Sequence, residues 1–405
     1  MSRVFTSSLQ RLSSRFLQSQ KKILAIENEQ EPVGKKTDLR VFAANELAAL
    51  WGIKDYEIRN ATRKDGWPEA VKTSYNANGY RIDDIPVMLE LLGRSPAASV
   101  QPFYLCVSNF KGGSGKTTLS IHLAQFAALM GYRVLLVDLD PQASATSSYG
   151  LIPGEDYAQD ETLYEAISAR LRNEPAGPVT LQDTNWGNRI KLAAGCYDMQ
   201  FLEFEVAAAL NRDPSLRFWE LVKDELDKVS EGFDLVVFDT PPTLGFITLN
   251  AVSVAHGIVI PTPPSMLDFV STGSFMKMLA TSLKMYLKAV PVGNGGSDTP
   301  LPSAEFVRFV TTKLDMRQAA PARISQYLAH IVGIEQMCPV PLVTSARFED
   351  AMNRVRTIYE SRRETSEGYT RIRDAFDGIG RDIMREVEQV RTRWLEEKKE
   401  ADHAA

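Results

Sequence analysis

Between an apolar run at Phe103–Val107 and a helical pattern at Leu119–Met130, the chain reads Lys111-Gly-Gly-Ser-Gly-Lys-Thr-Thr118. No other stretch restricts the fold so strongly. Glycines let the backbone turn so that successive N–H groups face one point, and the helix that follows adds the positive end of its dipole. Strand, glycine-rich loop and helix in that order make a phosphate cradle, which argues against a plain glycine-rich turn. Gly112, Gly113, Ser114, Gly115, Lys116, Thr117 and Thr118 form the cradle. Lys116 is placed to reach the β- and γ-phosphates, and the Thr117 hydroxyl to ligate Mg²⁺.

The surrounding pattern suits such a loop. Strand-length apolar runs recur at Phe103–Val107, Val134–Val137, Ile190–Ala193, Leu235–Phe238, Ile258–Ile260 and Phe306–Val310, with helical patterns between several of them. Continuous apolar runs alternating with helices predict a buried, mostly parallel sheet flanked by helices, an α/β fold. Residues 291–304 read as a surface loop. Two runs end in carboxylates: Val134-Leu-Leu-Val-Asp-Leu-Asp-Pro-Gln142 and Phe233-Asp-Leu-Val-Val-Phe-Asp-Thr-Pro-Pro242. A carboxylate at the C-terminal end of a strand in an open α/β sheet faces the ligand. Asp140 is assigned to the metal and the attacking water, and Asp239 to Mg²⁺. Asp138 is read as the structural end of its strand.

Lys111, at the start of the loop, departs from the general phosphate loop. Lys-Gly-Gly-x-Gly-Lys-Thr-Thr resembles the deviant Walker A box of the ParA/MinD ATPases, and the two carboxylate segments resemble that family's switches in order and spacing. The resemblance covers most of residues 103 to about 360. It implies ATP as the nucleotide, with Mg²⁺, and a homodimer in which Lys111 reaches the nucleotide of the partner subunit. Lys111, Lys116 and Asp140 would then be the catalytic groups. Thr312-Lys-Leu-Asp315 is read equally well as an adenine contact or as a helix cap.

Four segments divide the chain: residues 1–37, an amphipathic helix and linker; residues 38–92; a linker at 93–102; and residues 103–405, the P-loop unit with C-terminal helices. Residues 38–92 read helix (Ala43–Leu50), turn, helix (from an Asp55 cap to Lys64), a turn at Asn76–Gly79 between extended pieces, and helix (Asp83–Leu92). That is the order of a winged helix-turn-helix. The text Ala43–Asn60 resembles MerR-type DNA-binding domains, and Asn78–Ile82 resembles their wing. Arg59, Arg63 and Lys64 on the second helix, and Arg81 on the wing, are the candidate DNA contacts. The whole arrangement resembles the larger plasmid-type ParA proteins, above all the RepA partition proteins of repABC replicons.

That resemblance implies a cytoplasmic, nucleoid-associated partition ATPase. With a ParB-type partner it would segregate a low-copy plasmid or secondary chromosome. Its ATPase dimer would bind DNA non-specifically, and its winged module would bind the operator of its own operon as a repressor. Arg354 and Arg356 are candidates for the non-specific surface; a solvated mixed-charge helix explains that stretch equally well.

Composition narrows the rivals. A net charge of -5 argues against a chain coated in basic residues, though not against a local basic face. Three well-separated cysteines make no CxxC pair, so a disulfide framework or a cluster-bearing electron donor is disfavoured. No apolar run reaches the about 18 residues of a membrane span. Residues 1–24 are basic and serine-rich, a composition that overlaps with transit peptides, but their apolar spacing is helical. A membrane-positioning ATPase would need a basic amphipathic tail; Arg381–Ala405 is mixed in charge and reads as a helix packed on the body or its dimer partner. A nucleotide-sensing repressor without a motor role is the remaining alternative.

Overall fold

The protein, as a computed structural model, is described over residues 39–73, 77–289, 304–315, 317, 319–344, 356–361 and 366–404. The helix expected near the N-terminus, most of the loop at 291–304, and Arg354 lie outside these residues.

The N-terminal module begins with β1 (Val41–Ala43), α1 (Ala44–Trp51) and α2 (Asp55–Ala61). The hairpin β2 (Val71–Lys72) and β3 (Asn78–Arg81) and a short helix, α3 (Ile85–Leu91), complete it. Three details differ from the sequence expectation. Asp55 is the first residue of α2 rather than its cap, because Glu57 reaches back to the Lys54 N–H (2.9 Å) and satisfies that end of the helix. The helix stops at Ala61 instead of Lys64. Asn78 and Gly79 lie in a strand, not in the turn. Gly79 pairs with both Ala43 and Val71, and a Cβ there would come within 2.7 Å of the Phe42 carbonyl. Its glycine serves close strand approach.

The central sheet holds β4 (Phe103–Val107), β5 (Val134–Asp138), β6 (Leu181–Thr184), β7 (Gly187–Ala193), β8 (Leu235–Asp239), β9 (Gly257–Thr262) and β10 (Phe306–Thr311). Their order is β10-β9-β4-β8-β5-β7-β6. All neighbouring pairs are parallel except β6 with β7. The six predicted runs are six of these strands. β4, β5, β8 and β9 are buried along their whole length, as strands covered on both faces must be. One face carries α4 (Lys116–Leu129) and the long C-terminal helix α12 (Glu367–Ala404). The other is covered by α6 (Leu163–Arg172), α7 (Leu202–Arg212), α8 (Leu221–Leu226), α9 (Phe246–Val254) and α10 (Met266–Ala289). Short α5 (Ser144–Ser148) follows β5, and α11 (Ala319–Val332) follows β10.

The N-terminal module shares the core of the α4/α12 face. Trp51 donates from its indole to the Leu129 carbonyl at the end of α4 (2.9 Å), and Arg381 donates to the Leu50 carbonyl (3.2 Å). Glu46 and Arg373 form a buried ion pair at 2.9 Å. The segment read as a linker is also tied down: Ala97 gives its N–H to Glu388 (2.6 Å) and accepts from Arg391 (2.9 Å). The tail lies along the body, with Ile383, Val387 and Val390 buried. Among the described residues no helix is long and apolar enough to cross a membrane.

Candidate nucleotide site

β4, β8 and β5 stand side by side at the centre of the sheet. Their register sets Val107 opposite Asp239, and Asp239 opposite Asp138. The strand that feeds the glycine-rich loop therefore ends level with both carboxylates. Gly113 (φ 69°) and Gly115 (φ 98°) adopt left-handed backbone that a side chain would strain, and Gly115 leads directly into α4. Asn109 fixes the entry to the loop: its amide donates to the Pro261 carbonyl (2.9 Å) and its oxygen accepts the Lys111 N–H (3.1 Å). On the far side, the Thr312 hydroxyl donates to the Ser114 carbonyl (2.7 Å).

Lys116 is buried and donates across the loop to the Lys111 carbonyl at 3.3 Å. Burial lowers its pKa, while Asp239 and Asp140 oppose the shift. Asp239 is fully buried, and its pKa is raised well above the usual carboxylate range, first by desolvation and then by Asp138. Ser120, one helical turn beyond Lys116, donates to Asp239 Oδ1 (3.1 Å). Asp239 Oδ2 has no hydrogen-bond partner among the described residues, and neither has the buried Ser114 hydroxyl. An orphaned carboxylate oxygen is costly unless something else meets it. A divalent cation beside the loop meets that requirement, so the residues present fit Mg²⁺ held by Thr117 and Asp239.

Asp140 sits at the edge of the site, nearly buried, and accepts the Gln142 N–H at 2.9 Å. Asp138 accepts the N–H and the hydroxyl of Thr146 (both 2.8 Å) and the Asp140 N–H (3.2 Å). Its pKa rises to about 6, through burial that these bonds only partly offset. Asp138 thus ties the segment carrying Asp140 to the end of β5, and Asp140 lies near enough to Lys116 to oppose the fall of its pKa.

The DNA candidates are dispersed. Arg59 is exposed on α2 with Tyr56 and Asn60, and Arg63 is exposed in the turn just beyond the end of that helix. Lys64 is exposed as well, and its ammonium also donates to the Leu91 carbonyl at the end of α3. Arg81 is exposed at the end of β3. Arg356 is half-buried; burial lowers the pKa of Arg40, and Arg356 nearby adds to that shift. Ser120, Asn109 and Thr146 escaped sequence reading. Only the four-residue step from Lys116 hinted at Ser120, since such a step shares a helix face.

Residues 104–288 match the profile of a family described as AAA domain. A protein of Sinorhizobium fredii (strain NBRC 101917 / NGR234) that carries the name replication protein A is 30% identical over 393 residues, 92% of either chain. Protein SopA of Escherichia coli (strain K12) is 29% identical over 269 residues, 64% of this chain and 67% of its own. A solved structure described as Partition Protein matches with a TM-score of 0.61 over 95% of this chain and 99% of its own, at 18% identity, a likeness of fold.

Proposed function

The chain belongs to the ParA-type P-loop ATPases, with relatives among replication protein A, SopA, Soj and ParA, and on that premise we propose that it is a DNA-segregation switch driven by ATP. In this reading Lys116 and the loop N–H groups hold the phosphates. Thr117 and Asp239 hold Mg²⁺, which neutralises charge on the phosphate oxygens. Asp140 orients the attacking water, and Lys111 serves the nucleotide of a second copy in a homodimer. The dimer binds DNA without sequence preference, and a ParB-type partner stimulates hydrolysis and release. The winged module binds the operator as an autorepressor.

The observation that carries the reading is the register of Val107, Asp239 and Asp138, which gathers the loop and the carboxylates at one end of the sheet. The exposed Tyr56, Arg59 and Asn60 on α2, with exposed Arg63 just beyond its end, support the operator reading, since these side chains suit base edges and phosphates. The burial of Ile383, Val387 and Val390 speaks against a membrane-positioning role, because they have no free apolar face to insert.

Light scattering of the full chain with and without MgATP, alongside retention of non-specific DNA, tests the switch. Wild type dimerises and retains DNA only with MgATP, while Lys116→Gln and Lys111→Gln do neither. A nucleotide-independent dimer, or none under any condition, contradicts it.

A further inference from the structure

Lys313 is one of three non-glycine residues in left-handed backbone among those described (φ 53°), a conformation that side chains other than Asn and Asp seldom adopt. Its neighbours hold it there. Thr312 gives its N–H to Thr262 (3.1 Å) and its hydroxyl to the Ser114 carbonyl of the phosphate loop (2.7 Å), and Leu314 gives its N–H to Leu342 (3.1 Å). The side chain is exposed, yet its ammonium lies over the phosphate loop, 3.7 Å from where a Cβ on Gly113 would stand.

The charge balance gives this placement meaning. Lys111 faces Asp268, and Lys116 lies near Asp239 and Asp140. Lys313 has no carboxylate partner among the described residues: Asp315, two residues on, is engaged by the Arg317 guanidinium at 2.9 Å. A third lysine beside the same loop adds like-charge repulsion, which a bound polyanion converts into attraction. Strain held at a ligand site by surrounding bonds is the usual circumstance of such outliers.

We propose that Lys313 is a phosphate-binding residue of the nucleotide site, contacting the triphosphate chain as it lies over Gly113. This rests on the ATP reading above and extends it to a position outside the loop motif. The segment that carries Lys313 then closes the site from the β10 side, opposite the carboxylates on β5 and β8.

The test measures MgATP affinity of the full chain by calorimetry at two salt concentrations, for wild type, Lys313→Met, Lys313→Arg and Lys116→Gln. Lys313→Met is expected to weaken binding about tenfold, the usual worth of one charge-assisted hydrogen bond. It should also lessen the salt dependence, whereas Lys313→Arg stays close to wild type. Because the side chain is exposed, Lys313→Met should melt no lower than wild type, and Lys313→Gly should melt higher by relieving the backbone. Affinity and salt dependence unchanged in Lys313→Met, with binding abolished in Lys116→Gln, overturns the role of Lys313 and leaves the ATP reading intact. Absence of ATP binding by wild type overturns both.

Discussion

The ammonium of Lys111 lies 3.5 Å from the carboxylate of Asp268, at the first turn of α10. Asp268 is itself positioned by Ser265, whose hydroxyl accepts the Asp268 N–H at 3.1 Å, and its Oδ1 has no hydrogen bond among the described residues. The lysine that family resemblance assigns to the partner's nucleotide is thus held by a carboxylate of its own subunit. Exposed Met266, Leu267 and Val270 surround it on α10.

Releasing Lys111 should ease dimer formation. Asp268→Asn removes the competing charge, and for a half-exposed pair worth at most about 1 kcal/mol the gain is up to about fivefold in dimer affinity. Sedimentation with MgATP reads it directly. Dimerisation weaker than wild type would mean that Asp268 supports the interface instead of restraining it.

The ion pair of Glu46 with Arg373 joins the N-terminal module to α12, and both side chains are buried. Arg373 also faces Asp377 at 3.3 Å and stacks over Tyr359. Removing one member of a buried pair strands the other, so Glu46→Ala should lower unfolding free energy by about 3 kcal/mol. Glu46→Gln, which can still accept a hydrogen bond, should lose less. Urea unfolding checks both, and a loss under about 1 kcal/mol for Glu46→Ala would show that Asp377 alone satisfies the arginine.

Two buried histidines should make the fold acid-sensitive. His122, on α4, accepts the Ile358 N–H at its Nε2 (3.2 Å), and His256 accepts the Tyr104 N–H at its Nδ1 (2.9 Å). Burial pushes the pKa of each down to about 4. The unfolded chain therefore takes up these protons first. Their contribution is complete above the ordinary histidine value of about 6.5, and it is lost as pH falls toward 4, by up to about 3 kcal/mol each. The raised pKa values of Asp138 and Asp239 act in the opposite direction over the same window, so the histidine contribution is read by difference. Between about pH 6.5 and about pH 4, His122→Gln should lose less stability than wild type in denaturation at several pH values. An unchanged slope in that variant would assign the effect elsewhere.

The strands were legible because a strand covered on both faces must be apolar without a break, and the carboxylates because each ends such a run. β6, Leu-Gln-Asp-Thr, is an antiparallel edge with no apolar run to betray it. Glu46 and Arg373 are 327 residues apart, and nothing local in either stretch marks them as partners. The hydrogen bond from Lys64 to the Leu91 carbonyl was not legible either, because that carbonyl belongs to α3, which only the folded module brings near. The reading of residues 93–102 as a linker rests on their Pro and Ser content. The anchoring of that connector by Glu388 and Arg391 depends on a helix at the other end of the chain.

ATP turnover by the purified full chain, with Mg²⁺, non-specific DNA and a ParB-type partner, is the most direct test of the central claim. The account predicts slow hydrolysis that DNA and the partner together accelerate. It also predicts that Lys116→Gln loses nucleotide binding, while Asp140→Ala still binds MgATP and dimerises but does not turn over. Absence of turnover by wild type under every condition would contradict it, as would hydrolysis by Asp140→Ala at the wild-type rate.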